Sequence, residues 1–219
     1  MKTEQWENLN RRQKWQYFVD YYLKKTIMIL AALFIVIFLL WNFLKPQDVT
    51  ILKVAVVNET LDSQKKQNLQ EELLKALGKT GKNEKVVIDD SYGNSESDLS
   101  RLSILMNAHE IDAIICNEED FKQFAGEGYF KDITKVLNAD EQKEWSDLFV
   151  NTAGYLDKED AKPDYDGTQK GPVKEYGIDI SDSAVYKELC VTSKHPVFAF
   201  TVEAGNTQNA EKLLQKLLP

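Results

Sequence analysis

The fold is decided by one stretch, ILKVAVVNETLDSQKKQNLQEELLKALG at residues 51–78. Its first seven residues, Ile51 to Val57, form an apolar run of the length and composition of a buried strand. The four leucines that follow share one face of a helix, and Gly78 then marks a helix end. These are Leu69, Leu73, Leu74 and Leu77. The stretch therefore predicts a strand followed by a helix.

The same cycle repeats twice further along the chain. Lys85–Ile88 is predicted as a strand, a helix follows it, and Ile111–Cys116 is predicted as the next strand. The apolar face of the middle helix is Leu99, Leu102, Leu105 and Met106. Strands that alternate with helices at this spacing are typical of right-handed crossovers. We therefore predict an α/β fold at residues 51–219, a single domain with a mainly parallel sheet and helices on both faces.

The pattern is weaker in the rest of this region. The sequence predicts a helix at 120–125, a helix at 141–149, an exposed polar loop at 157–177, a strand at 196–203 and a last helix capped by Asn206.

Two segments resemble a known family. IDAIICNEEDFKQFAGEGYFKDITKVL at 111–137, with its turn at 128–133, and PVFAFTVEAGNTQNAEKLLQKLL at 196–218 are similar to segments of extracytoplasmic solute-binding proteins of ABC importers. The resemblance implies a lobe of the type 2 periplasmic-binding-protein fold, without catalysis and outside the cell membrane. Family members usually have two lobes, whereas this chain has room for about one, so the resemblance indicates a reduced, membrane-anchored relative.

Upstream of this region lies TIMILAALFIVIFLLWNFL, residues 26–44, which contains no charged residue. As a helix it would be roughly 28 Å long, close to the hydrocarbon thickness of a bilayer. Thirteen of its residues are Leu, Ile, Val or Phe, which favours insertion into lipid. The stretch predicts a transmembrane helix in contact with the lipid bilayer, and its lack of charge argues against ion conduction.

The charges on either side of this helix predict its orientation. Six cations precede it, whereas Lys45 and Lys53 follow it with Asp48 between them. The positive-inside rule then places residues 1–25 in the cytoplasm and, after a linker at 45–50, the domain at 51–219 outside the cell. A cleaved signal peptide is the alternative, since it also places the downstream chain outside.

Aromatic side chains flank the predicted span. Trp15, Phe18 and Tyr22 share one helical face, and Trp41 lies near the opposite end of the span. An aromatic belt at the lipid headgroups explains them without a partner. The alternative is a docking surface for a membrane-protein partner such as a transporter.

Charge and cysteine content restrict the outer region further. The first 48 residues have a balance of +3, so the total of −8 leaves −11 for the remainder. An acidic surface of this size disfavours nucleic acid as a partner. Cys116 and Cys190 either form a disulfide or are two buried free thiols, and they are too few for a zinc site.

Polar residues follow the predicted strands. The candidate ligand-binding residues are Asn58, Thr60, Asp90, Ser91, Tyr92, Asn117 and Glu118. In parallel α/β sheets the carboxyl ends of the strands form the usual ligand cleft, and Tyr92 is the candidate for stacking on a ligand. Each of these residues has a structural alternative as a helix cap or turn former. Asp62, Ser95 and Asn117 are the residues best suited to capping helices.

The sequence lacks the motifs of common enzymes, including Gly-x-Ser-x-Gly and the glycine-rich phosphate-binding loops. We therefore predict no catalytic residue, no metal and no cofactor. The leading hypothesis is a single-pass cell-membrane protein whose extracellular domain binds a small solute or an envelope partner. The alternative is a structural or accessory subunit of a transporter-type membrane complex, and an envelope hydrolase is a third possibility.

Overall fold

The computed structural model describes residues 10–44, 48–78, 83–158, 165–190, 194–202 and 204–218. The chain divides into two compact units, Met1–Gln47 and Asp48–Pro219.

In the first unit, residues 11–44 form one continuous helical rod. It consists of α1 (Arg11–Tyr17), a π-helical segment (Phe18–Leu23) and α2 (Lys24–Leu44). Asn10 caps its start in a capping box with Gln13. The segment Lys25–Leu44 is long and apolar enough to cross a membrane, and none of the residues in its apolar window is buried within the structure.

The second unit alternates strands and helices. Its strands are β1 (Val49–Val57), β2 (Glu84–Tyr92), β3 (Ala113–Asn117), β4 (Phe149–Ala153), β5 (Val173–Asp179) and β6 (Pro196–Phe200). Its α-helices are α3 (Ser63–Ala76), α4 (Glu96–Asn107), α5 (Glu118–Gly126), α6 (Ala139–Glu144), α7 (Ala184–Leu189) and α8 (Thr207–Leu217). Short 3₁₀ turns lie at Ile133–Lys135 and Ser146–Leu148.

The strands form one mixed sheet in the order β2-β1-β3-β6-β5-β4. The predicted α/β class is confirmed, but only the β1–β2 and β1–β3 pairs are parallel. The other three pairs are antiparallel, so the expectation of a mainly parallel sheet needs correction. The direction of β6 beside β3 depends on the route of the 78 residues between them, which local periodicity does not encode.

Helices cover both faces of the sheet, because alternate strand residues point to opposite sides. In β1, Val54 and Val56 pack with α3, α7 and α8, whereas Ala55 and Val57 pack with α4 and α5. Two buried clusters result, one on each face, as predicted.

The first elements agree closely with the sequence patterns, and the later ones differ. Asp62, Ser95 and Asn117 cap α3, α4 and α5, and Gly78, with a φ of 65°, follows the end of α3. The predicted helix at 141–149 is instead α6, a 3₁₀ turn and the start of β4. The predicted loop at 157–177 ends in β5, and its residues 159–164 lie outside the described residues.

Candidate functional site

The connections around β1 define where a cleft would form. Helix α3 carries the chain from β1 to β2 over one face, and α4 carries it back past β1 to β3 over the other face. The chain therefore leaves β1 and β3 in opposite directions. In open α/β sheets, ligands bind at such a switch point, outside the carboxyl ends of the two strands.

Asn58 stands at this point, directly after β1. Its φ of 60° is in the left-handed region, where Asn is among the few side chains often found. Its backbone N–H donates to the Tyr92 carbonyl at 2.8 Å. Its side-chain Nδ2 donates to Asp120 Oδ2 at 2.5 Å and also to Asn94 Oδ1. This amide therefore links the ends of β1 and β2 to helix α5.

Asn117 and Asp120 complete the network from β3. Asn117 Oδ1 accepts the N–H groups of Glu119 and Asp120, both at 2.9 Å, and so caps α5. Its Nδ2 donates to Asp120 Oδ2 at 2.8 Å. Two of the predicted residues, Asn58 and Asn117, are thus brought together by a third residue, Asp120, which was not among the predicted ligand-binding residues.

Glu59 is held beside this network by Tyr186, a residue of α7. The buried Tyr186 hydroxyl donates to Glu59 Oε2. Burial, and then the nearby Glu59 carboxylate, raise the pKa of Tyr186 above its ordinary value. Local sequence patterns contain no signal for this contact, because 127 residues separate the two side chains.

Both cysteines are free and buried, which is the second of the two alternatives for them. Burial raises the pKa of the Cys116 thiol well above its usual value, and the Asp120 and Glu59 carboxylates add to this. The raised pKa disfavours the thiolate, which is the nucleophilic form of cysteine.

Asp90 lies within β2 and anchors the loop after β1. Its Oδ2 accepts the Leu61 N–H at 2.8 Å, and its Oδ1 pairs with Lys66 Nζ at 2.5 Å. Burial alone would raise the pKa of Asp90, but the hydrogen bonds from Lys66 and from the Leu61 N–H outweigh it, so the pKa is lowered. These contacts give Asp90 a structural role, because they hold the loop after β1 in place.

This contact predicts a pH-dependent effect of Asp90→Asn. A carboxyl group whose pKa is lower in the folded state stabilises the fold above about pH 4, and this stabilisation is lost as the pH falls through the folded-state pKa. We expect the variant to be less stable by about 1–2 kcal/mol at pH 7, with the difference narrowing below pH 4. Thermal unfolding followed by circular dichroism from pH 2.5 to 7 measures this.

The control is Asp182→Asn, because Asp182 also pairs with a lysine but its side chain is 96% exposed. This variant should leave the stability unchanged within about 0.5 kcal/mol. An Asp90→Asn difference that stays constant across the pH range would contradict the role given to the carboxylate.

Ser91 and Tyr92 also belong to β2 instead of following it. Tyr92 is 2% exposed, and the Arg101 guanidinium lies 4.5 Å from its ring centroid. Burial, followed by the Asp89 charge, raises the pKa of Tyr92 to about 12. Arg101 also donates to the carbonyl and hydroxyl oxygens of Ser91 at 3.0 and 2.9 Å. The prediction that Tyr92 stacks on a ligand must be corrected, because its ring is part of the core.

Thr60 and Glu118 remain at the exposed rim. Glu118 pairs with Lys122 at 2.5 Å, one turn further along α5. The candidate site is therefore narrower than predicted and centres on Asn58, Asn117 and Asp120, with Glu59 beside them.

A groove of about 660 Å³ lies at the other end of the strands from the candidate site. It is next to the start of α8, which follows the antiparallel strand β6. Its charged lining is Lys131, Asp132, Lys135, Lys174 and Glu211. Burial, and then the nearby Glu141, raise the pKa of Glu211. The sequence did not suggest this groove, because its residues come from separate parts of the chain.

No protein-family model matches the chain, and no curated protein matches it. It is similar to two solved structures. One is an ABC substrate-binding protein, Lmo0181 from Listeria monocytogenes in complex with cycloalternan, at 21% identity and a TM-score of 0.36, covering 61% of this chain and 29% of that one. The other is an extracellular solute-binding protein family 1 from Alicyclobacillus acidocaldarius, at 18% identity and a TM-score of 0.31, covering 62% and 28%. The aligned part is less than a third of the length of each of these two solute-binding proteins.

Proposed function

We propose that this chain is a non-catalytic, membrane-anchored binding protein. Residues 26–44 hold it in the cell membrane as a single span, with the N-terminus in the cytoplasm and Asp48–Pro219 outside. Support comes from the apolar helix Lys25–Leu44 and from the excess of cations before it. The sequence resemblance to extracytoplasmic solute-binding proteins agrees with this arrangement.

One observation carries the binding proposal: Asn58, Asn117 and Asp120 converge at the switch point of the sheet. Their side chains come from the ends of β1 and β3 and from the first turn of α5, and hydrogen bonds of 2.5 and 2.8 Å join them. A left-handed residue at this position fits a backbone held for a ligand contact.

The oxygen-rich composition of the site suggests the class of ligand. Carboxylates of Asp120, Glu59 and Glu118 accept hydrogen bonds, and the domain carries a large negative charge. We therefore propose a small solute that donates hydrogen bonds, with hydroxyl or ammonium groups. The alternative partner is an envelope protein that presents hydroxyl or ammonium groups to the site.

Binding without catalysis agrees with the chemistry of the site. The thiol next to Asn117 in the chain, Cys116, is buried, and burial raises its pKa, which disfavours the nucleophilic thiolate. His109 lies in a left-handed turn between α4 and β3, at the opposite end of β3 from the switch point. His195 is also left-handed and directly precedes Pro196, the partner of Asn117 in the β3–β6 pair, so it lies at the same end of the sheet as the site.

A thermal-shift screen of residues 48–219 with sugars, polyols, amino acids and polyamines tests this proposal. A solute at 100 times its dissociation constant adds about 2.7 kcal/mol of stability, which raises the melting temperature by roughly 5–10 °C for a domain of this size. We expect Asn58→Gly to abolish the shift, because glycine accepts the left-handed backbone but lacks the amide.

Gln67→Ala, on the exposed surface of α3, is the matched control and should keep the full shift. A thermal shift of equal size in Asn58→Gly would show that the solute binds at another site. The absence of a shift with every compound would count against solute binding and favour the accessory-subunit alternative. That alternative is supported by the exposed aromatic residues of the first unit.

A further inference from the structure

Three aromatic rings form a continuous stack along the first helical rod. The ring centroids of Trp15 and Phe18 are 6.0 Å apart, and those of Phe18 and Tyr22 are 6.1 Å apart. The three residues are 67%, 42% and 47% exposed. We call Trp15, Phe18 and Tyr22 the aromatic ladder.

The ladder extends beyond the reach of the lipid headgroups. The helix is continuous from Arg11 to Leu44, and the apolar run starts at Thr26. At the α-helical rise of 1.5 Å per residue, which is an upper bound for the wider π-helical segment, Tyr22 lies about 6 Å, Phe18 about 12 Å and Trp15 about 16 Å beyond the hydrocarbon edge. The headgroup layer is only about 5–8 Å thick on each side. A lipid belt therefore accounts for Tyr22 but not for Phe18 or Trp15.

Neither helix tilt nor side-chain direction brings Trp15 into the headgroup layer. A tilt of about 40°, the upper end of the usual range, still leaves Trp15 about 12 Å outside the hydrocarbon and shortens the span to about 22 Å. Side chains in a helix lean toward its N-terminus, which here points away from the membrane.

The charge of the same segment indicates which partner fits. Residues 10–25 contain Arg11, Arg12, Lys14, Lys24 and Lys25 against a single acid, Asp20. Arg11 precedes Trp15 by one helical turn, so a cation lies on the face of the ladder. A second parallel copy of this chain would bring equal positive charges together, whereas an acidic surface would complement them.

We propose that the aromatic ladder docks into an acidic, apolar-lined groove of another integral membrane protein, on the N-terminal side of the bilayer. Trp and Tyr are the residues that most often anchor protein interfaces, and the basic rim provides orientation. This inference rests on the membrane anchor proposed above but is independent of the solute site.

The position of the ladder is tested with the full chain in liposomes of phosphatidylcholine and phosphatidylglycerol. Spin labels are attached to Trp15→Cys, Tyr22→Cys or Leu30→Cys, with the parent chain and its two buried cysteines as the labelling blank. We expect a label at 15 to be as accessible to an aqueous relaxation agent as a label in solution, and a label at 30 to contact oxygen in the lipid. A headgroup or acyl depth for position 15, as produced by a bend at the π-helical segment, would overturn the inference. An aqueous label at position 30 would instead refute the anchor.

The partner is tested by placing the photo-crosslinker p-benzoylphenylalanine at 15 or 18 in the full chain, in the membranes of its own cells. Gln16, which lies on another side of α1, is the control position. We expect adducts from 15 and 18, but not from 16, that mass spectrometry maps to an acidic segment of an integral membrane protein.

Charge complementarity is tested in the same experiment. Arg11→Gln combined with Arg12→Gln should lower the adduct yield about tenfold, while Lys14, Lys24 and Lys25 preserve the orientation of the helix. Adducts only with lipid, adducts with a second copy of this chain, or no protein adduct would overturn the proposal. A yield that is unaffected by the loss of both arginines would also overturn it.

Discussion

Replacing Ile35 and Val36 together by arginine is expected to release the full chain from the membrane. These two residues are at the centre of the 26–44 run. The thirteen Leu, Ile, Val and Phe residues of the run favour insertion by about 4–8 kcal/mol in total. Each central arginine costs about 2.5–3.5 kcal/mol and also removes the contribution of the residue it replaces. The two changes together cost about 6–8 kcal/mol, enough to cancel the preference of the helix for lipid.

Alkaline carbonate extraction of membranes measures this effect. The parent chain and the control, Ile35→Leu with Val36→Leu, should remain in the membrane pellet, and the double arginine variant should move to the soluble fraction. The mass of the membrane-bound parent chain separates an anchor from a cleaved signal peptide, since an anchored chain keeps its full 25.1 kDa. A double arginine variant that stays in the pellet would show that some other part of the chain holds it there.

The first half of the outer domain could be predicted because its elements are defined by local patterns. β1 and β3 are mostly apolar and buried on both faces, and α3 and α4 have single apolar faces. The second half depends on distant partners. Among the residues that the structure describes, β4 pairs only with β5, and its sequence FVNTA has neither the length nor the apolar content of a central strand. Its pairing comes from the fold as a whole.

The candidate site was predicted only in part, because local patterns locate the ends of some strands and not of others. The strand-end rule located Asn58 and Asn117 because β1 and β3 end where their apolar runs end. It failed for Tyr92 because β2 is an edge strand, in which polar residues such as Asp89 and Ser91 are tolerated within the strand. The sequence therefore suggested that the strand ended at Ile88, although β2 continues for four more residues.

Asp112 was missed by sequence reasoning and is predicted to contribute strongly to stability. It directly precedes β3 and is 2% exposed. Its Oδ2 accepts the Lys53 N–H at 2.8 Å, and its Oδ1 accepts the Asn206 N–H at 2.9 Å. It thus joins β1, β3 and the start of α8. Asn206 was predicted to cap α8, but its side chain makes no capping hydrogen bond, and its backbone N–H is held by Asp112 instead.

We expect Asp112→Ala to lower the free energy of unfolding by about 3–5 kcal/mol. The change removes two hydrogen bonds to a charged group, each of which contributes about 1.5–3 kcal/mol, and leaves two backbone donors without their acceptor. Asp112→Asn should cost roughly half as much, since its single side-chain carbonyl oxygen can replace only part of the carboxylate. Urea unfolding of residues 48–219, followed by tryptophan fluorescence of the buried Trp145, measures both changes.

Glu110→Ala is the matched control, because Glu110 lies two residues before Asp112 and also contacts Lys53. Its carboxylate pairs with the Lys53 ammonium at 3.3 Å, but its side chain is 57% exposed, so its loss should cost at most about 1 kcal/mol. The comparison separates the buried backbone contacts of Asp112 from the negative charge that both residues add near Lys53. Equal losses in Asp112→Ala and Glu110→Ala would mean that charge alone matters. A much larger loss in Asp112→Ala would mean that the buried carboxylate, through its backbone donors, holds β1, β3 and the start of α8 together.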